Sequence, residues 1–242
     1  MTQRAVDISN WQGDLPEQVY ADWSAAGIRT VICGTSGNPA APLVYEAQAR
    51  KVVLAGLRPE AYTWLTWPVD VDAFAARIRG KLDLIERIST VEDVWLDCED
   101  EVVEPGADVV GLIALARELV RERGLVPGIY TGAWWWPKYT GNSGGFFDLR
   151  LWLAHYDGIA ELISALLPFG GWVPETLYRK QHTDKGEVGG VFPLDLNVER
   201  DPTEPFVVPI PPAPGPDLVA VRRHLVEIHA AATAAETALG GS

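Results

Sequence analysis

Hydrophobic and polar positions alternate along the first two hundred residues in two rhythms. Short β-type runs occur at AVDIS (5–9), RTVICGT (29–35), RPEAYTWL (58–65), DVWLDCE (93–99), VPGIYTG (126–132), LRLWLAHY (149–156), TLYRKQHT (176–183) and PLDLNVE (193–199). Apolar residues at helical spacing fill PEQVYADWSAAG (16–27), PLVYEAQARKVVLAG (42–56), VDAFAARIRGKLDLIERI (71–88), ADVVGLIALARELVRERG (107–124) and the shorter IAELISALLPF (159–169). Several of these end at glycine, a common helix stop. Strands alternating with helices predict parallel pairing with crossover connections. The fold class is therefore α/β, an irregular TIM-like β/α barrel with about eight strands and fewer helices. The irregularity sits at the end, where KQHTDKGEVGGVFPLDLN has turn glycines and no room for a helix, so the last two strands are joined by a hairpin-like connection.

The barrel is expected to span 1–201. Residues 202–216 then change composition to a proline-rich stretch that sustains neither helix nor ladder and reads as a semi-rigid linker. Within 217–242, Leu218, Val221, Leu225, Ile228, Ala232, Ala235 and Leu239 form an a/d seam, which predicts a C-terminal amphipathic helix over 217–239. Such a helix needs a partner, either a second copy of the chain, giving self-association, or the barrel's own surface.

Composition narrows the function. A net charge of −13 with acids spread along the chain excludes a phosphate-backbone binder, so no nucleic-acid partner is expected. The N-terminus has no apolar core of a secretion signal and no run is long enough to span a membrane, which reads as synthesis in a cytoplasm. Cys33 and Cys98 lack any CxxC spacing and read as two buried thiols rather than as a zinc site or disulfide framework.

Strand alternation in the fourth run puts Trp95, Asp97 and Glu99 on one face and Val94, Leu96 and Cys98 on the other. The two carboxylates would be about 6.6 Å apart along the backbone, from a rise of about 3.3 Å per residue. They lie at the strand's C-terminal end, where barrel enzymes place their chemistry. Asp7 ends the first strand and Asp195 opens the eighth, its neighbour in a closed barrel, so four acids would ring one mouth. Crowded carboxylates cannot all ionise freely, and a site that holds an acid beside an anion can cleave a glycosidic bond. Each acid taken alone is more simply a solvated strand end or helix cap, and an acidic ring could instead bind Mg²⁺ or Ca²⁺. Ten tryptophans supply the second clue, since flat aromatic rings bind the C–H faces of sugars. Tyr62, Trp64 and Trp67 follow strand three, Tyr130 and the run Trp134–Trp136 follow strand five, and Trp152 and Tyr156 belong to strand six.

As an ordered set, VDISNWQGD, AYTW, WLDCEDE, PGIYTGAWWW, LWLAHYD and KQHTDKGEVGGVFPLDLN resemble glycoside hydrolase family 25, the Chalaropsis-type lysozymes, over roughly 5–200. The resemblance implies a peptidoglycan hydrolase of the β-1,4 bond between N-acetylmuramic acid and N-acetylglucosamine, with no metal or other cofactor. It implies Glu99 as general acid/base, with Asp97 orienting or charge-stabilising the substrate's N-acetyl group or else attacking directly. Asp7 and Asp195 would share the pocket, and Tyr62, Trp64, Tyr130, Trp134, Tyr156, Gln181 and Asn197 would bind substrate. A wall substrate without a signal peptide implies action at the bacterial cell wall after phage lysis or carriage on a virion, as a phage endolysin acts. The family's K-A-T-E-G after strand two reads Cys33-Gly34-Thr35-Ser36-Gly37 here, and its Y-H-F reads Tyr62-Thr63-Trp64. The first departure loses a basic and an acidic side chain and leaves a second reading, a catalytically silent glycan-binding or virion structural barrel.

Overall fold

The structure, a computed structural model, describes residues 2–36 and 41–201 of the 242-residue chain. The linker and amphipathic helix expected over 202–242 lie outside the described residues. Eight strands close a barrel in chain order: β1 (Thr2–Ile8), β2 (Ile28–Gly34), β3 (Arg58–Trp64), β4 (Asp93–Cys98), β5 (Val126–Gly132), β6 (Arg150–Ala154), β7 (Leu177–Val188) and β8 (Val191–Arg200). Neighbours from β1 to β7 run parallel, whereas β8 runs antiparallel to both β7 and β1. The reversal is made by Gly189 and Gly190, with φ of 60° and 75°. A two-residue hairpin turn with both φ positive matches the twist of its strands, and glycine adopts that backbone at little cost.

Four helices occupy the connections, α1 (Glu17–Ala25), α2 (Ala41–Leu54), α3 (Val71–Ile85) and α4 (Val109–Glu122), followed by the single-turn α5 (Trp136–Thr140). Asp70 and Asp108 start α3 and α4 by accepting from the amides of Ala73 and Gly111, each at 2.9 Å. The apolar faces of the helices, Phe74, Ile78 and Leu82 or Leu112, Ala116 and Leu119 among them, pack on the outward strand residues Val6, Val31, Val94 and Leu96 to form the outer core. Cys33 and Cys98 are free thiols buried in that core.

The helix expected over 159–169 does not form. Asp157 and Gly158 (φ 72°) turn the chain, the carbonyl of Ile159 accepts from Lys180 Nζ at 3.1 Å, and Ser164 Oγ meets His155 Nδ1 at 2.9 Å. These anchors spread the segment as a loop, and its periodic apolar residues Ile159, Ile163 and Leu166 stay exposed. Leu162, Leu167 and Phe169 of the same segment pack on the outer core from this loop.

Inside the barrel the side chains are stratified. Near the N-terminal ends of the parallel strands lies a charged layer in which Asp93 pairs with Arg58 and Arg150. One step higher, Arg179 holds Glu60 at 2.8 Å and also pairs with Glu199. Thr30 Oγ1 donates to Glu199 at 2.5 Å and Trp95 Nε1 to Glu60 at 2.6 Å. The Arg179 guanidinium lies over the rings of Trp95 (4.8 Å) and Trp152 (5.3 Å). Above it Ala5, Ile32, Trp95, Tyr130, Trp152 and Tyr178 fill the barrel with apolar surface, and Tyr62 packs against them. Arg179 is fully buried, so removing it leaves the buried Glu199 without a cation and Glu60 with Arg58 alone, 3.4 Å away. Arg179→Met is expected to lower stability by about 3–5 kcal/mol in urea unfolding; a loss below about 1 kcal/mol would show that the layer does not hold the barrel.

Candidate active site

Above the aromatic layer, at the C-terminal ends of the parallel strands, the barrel opens into a cavity of about 120 Å³. Asp7, Asp97, Glu99 and Asp195 all line it. They arrive there by strand geometry: Asp7 pairs in register with Asp195 across β1 and β8, while Asp97 and the residue two beyond it share the inward face at the end of β4. Tyr62, Trp64, Tyr130, Tyr156 and Gln181 complete the wall together with Trp152.

Polar contacts fix these side chains. Tyr130 and Tyr156 donate their hydroxyls to Gln181 Oε1 at 2.7 and 3.0 Å, and the two hydroxyl oxygens lie 3.2 Å apart. Gln181 Nε2 in turn donates to Asp7 Oδ2 at 3.3 Å. The Tyr130 hydroxyl also reaches the Glu99 carboxyl. It has one proton, so it serves Glu99 when Tyr156 supplies Gln181. Asn197 donates to Asp7 Oδ2 at 2.7 Å and accepts from Trp152 Nε1 at 2.7 Å. Asn197 is thus buried beneath the acids and absent from the cavity wall.

Trp134 also lies outside the lining: it is half exposed, and its indole rests on Gly132. The rest of the aromatic run behaves differently, because Trp135 and Trp136 are fully buried in the outer core. Trp67 is buried as well, its indole donating to the Asp100 carbonyl at 2.8 Å.

Burial is the first cause of every carboxyl's shift here. It pushes Asp7 well above the usual carboxylate range, helped by the charge of Asp195. The contact between the two carboxyls pushes Asp7 up and Asp195 down. Asp195 is pushed up to about 6 by burial, and the bond from Asp7 opposes that. Asp97 is also raised well above its ordinary value, by burial and then by Glu99 and Asp7. Glu99 is pushed up to about 7 by burial, with the Tyr130 hydroxyl pulling it down and Asp195 and Asp100 pushing it up. A buried carboxyl near 7 beside ionisable neighbours can give a proton and take it back at neutral pH.

Two contributors were not visible as strand-end residues. Lys81 comes from α3, and its Nζ donates to Ser36 Oγ at 2.6 Å and to the Trp64 carbonyl at 2.9 Å. Ser9 reaches the Tyr62 hydroxyl, and its loop is pinned by Gln12 Oε1, which accepts from the Ser9 amide at 2.9 Å. Among the described residues, no group of three or more His, Cys, Asp or Glu is arranged to hold a metal ion.

Because Glu99 titrates higher folded than unfolded, the folded state binds the extra proton, and ionising Glu99 lowers stability as pH rises from about 4.5 through about 7. Glu99→Gln should therefore stabilise the protein by about 1–3 kcal/mol at pH 8 and by little at pH 4, read as melting temperature across pH. An equal effect at both pH values would contradict the raised titration.

Comparison with known proteins agrees with this geometry. The fold is similar to the spore cortex lytic enzyme SleM of Clostridium perfringens (TM-score 0.65, 19% identity, covering 82% of this chain and 67% of that one). It is similar to the catalytic domain of endolysin ply40 from bacteriophage P40 of Listeria monocytogenes (0.62, 18%, 83% and 94%). It also resembles GHIP, a glycosyl hydrolase 25 of Streptococcus pneumoniae (0.62, 19%, 84% and 89%). No curated protein matches the sequence. The model of glycosyl hydrolases family 25 matches residues 6–191, and with that match over most of its length the chain belongs to this family of glycoside hydrolases.

Proposed function

We propose that this peptidoglycan hydrolase is a muramidase, cleaving the β-1,4 bond between N-acetylmuramic acid and N-acetylglucosamine with Glu99 as general acid/base. The observation that carries the reading is the convergence of four carboxyls on one open cavity, with the more exposed Glu99 near neutrality beside the drier Asp97. Glu99 protonates the departing glycosidic oxygen, the bond to the anomeric carbon breaks, and positive charge develops on the sugar ring. The Asp97 carboxylate stabilises that charge. It does so by orienting the substrate's N-acetyl oxygen as internal nucleophile, or by attacking the anomeric carbon itself. Glu99, now an anion, then takes a proton from the water that releases the sugar. Asp7, held by Gln181 and Asn197, and Asp195 opposite it hydrogen-bond the sugar and keep negative charge beside Glu99. Tyr62, Trp64, Tyr130 and Tyr156 offer the flat surfaces, and Trp134 extends them at the rim.

A silent glycan-binding barrel is the second reading, prompted by Cys33 and Ser36 where the family has lysine and glutamate. Retention of all four acids in one cavity favours catalysis.

Reducing-end release from purified peptidoglycan, with the new terminal sugar identified, separates the two. Wild type should liberate N-acetylmuramic acid ends, and folded Glu99→Gln should be at least about a hundredfold slower. If neither protein releases sugar and both bind the glycan, the barrel is a binding module. In the active enzyme kcat/KM should fall above about pH 7, as free Glu99 loses the proton it must donate. A rate that keeps rising past pH 8 would rule Glu99 out as the acid.

A further inference from the structure

The four acids raise a question of charge placement. Asp97 is 3% exposed, and its Oδ1 has no hydrogen-bond partner. A carboxylate oxygen so placed is costly to ionise unless a cation lies near. The charges bearing on Asp97 from its own strand end and from β1 are Glu99, Asp100 and Asp7, all negative, and the cation opposing them is Lys81 of α3.

Lys81 is bound where it can act. Its Nζ spends two of three N–H donors on Ser36 at the end of β2 and on the Trp64 carbonyl at the end of β3. Trp64 is the residue paired with Asp97 across β3 and β4, and the next amide, Leu65, donates to the Asp97 carbonyl at 3.0 Å. The ammonium thus sits one strand away from the buried carboxyl. Among the described residues no carboxylate lies within ion-pair distance of it. On its own helix Arg77 is the like charge that bears on it.

The strand-two departure explains why this cation stands alone. Cys33, at the family's lysine, points into the outer apolar core, and Ser36, at the family's glutamate, is the group that meets Lys81. A glutamate at 36 would neutralise the ammonium, whereas a serine hydroxyl accepts its hydrogen bond and leaves its charge to act on Asp97.

We propose that Lys81 is a positioning residue for the reaction, its uncompensated ammonium lowering the cost of ionising Asp97 so that the working proton can pass to Glu99. This rests on the muramidase reading for its catalytic meaning, but the charge placement can be measured without it. Burial brings Lys81 itself down to about 8, so its charge is present below that pH and lost above it.

The test is the pH profile of kcat/KM on peptidoglycan for wild type, Lys81→Met, Lys81→Arg and Ser36→Glu, with ¹³C-carboxyl NMR titration of Asp97 in each. Lys81→Met removes the charge and Ser36→Glu neutralises it in place. Both should move the acid limb, and the Asp97 titration, up by about half a pH unit or more, while Lys81→Arg stays near wild type. A folded Lys81→Met with an unchanged Asp97 titration overturns the proposal. A shift in Lys81→Met without one in Ser36→Glu overturns the part assigned to serine. If Lys81→Met does not fold, Ser36→Glu carries the test, since it leaves the lysine in place. A wild type that releases no sugar sinks the muramidase reading alone, because the titration still decides where the charge lies.

Discussion

The site depends on β8 entering the barrel in reverse. A parallel eighth strand would bring its C-terminal end to the mouth; the antiparallel one brings its first half instead, with Asp195 directly opposite Asp7 and Asn197 one inward step below. The turn at Gly189 and Gly190 allows this because it needs no crossover helix, and its two positive φ angles fix how β7 and β8 meet. Two carboxyls facing each other across a ladder in a closed barrel cannot both be charged without heavy cost. The upward push that Asp195 gives Asp7 thus follows from strand direction, as does the acidic setting of Glu99.

The layers beneath transmit this constraint. Arg179 pairs with Glu60 and Glu199 in a buried charged layer, and its guanidinium faces Trp95 and Trp152. Trp152 then donates upward to Asn197, and Asn197 to Asp7. Asp7 therefore cannot rotate without breaking the bonds it accepts from Asn197 and Gln181. A packed interior of this kind makes the cavity floor rigid, which is what orienting a sugar requires.

Much of this was legible in the sequence, for physical reasons particular to each element. Strand periodicity of two assigned Trp95, Asp97 and Glu99 to one face, and the barrel's habit of placing chemistry at strand ends brought in Asp7 and Asp195. The glycines before Val191 announced the hairpin. Where the reading failed, a local pattern was overruled by distant partners. The helical spacing of 159–169 yielded to Lys180 and His155, which lie on β7 and just beyond β6. The run Trp134–Trp136 counts in the sequence among the rings that could face a sugar, but a helix turn starting at Trp136 carries two of its rings into the core. Lys81 was invisible because nothing in a helix's own periodicity tells which polar residue at its edge will reach over a strand end.

Burial alone would put the proton in the wrong place. Asp97 is drier than Glu99, and desolvation raises the drier acid more, so an undecorated cluster would protonate Asp97 first. Lys81 opposes that at Asp97, while the Tyr130 hydroxyl acts in the opposite sense by favouring the Glu99 anion. In the free enzyme each of the two acids therefore has one contact that favours its anion. A sugar seated in the cavity changes the terms unequally: it strips water from Glu99, which has water to lose, and takes little from Asp97, which has almost none. In the proposed reaction, substrate binding would thereby raise Glu99 relative to Asp97 and favour the proton on the group assigned to donate it. On this reasoning the half-open position of Glu99 is part of the chemistry, since an acid already fully buried could not respond to the arrival of its substrate.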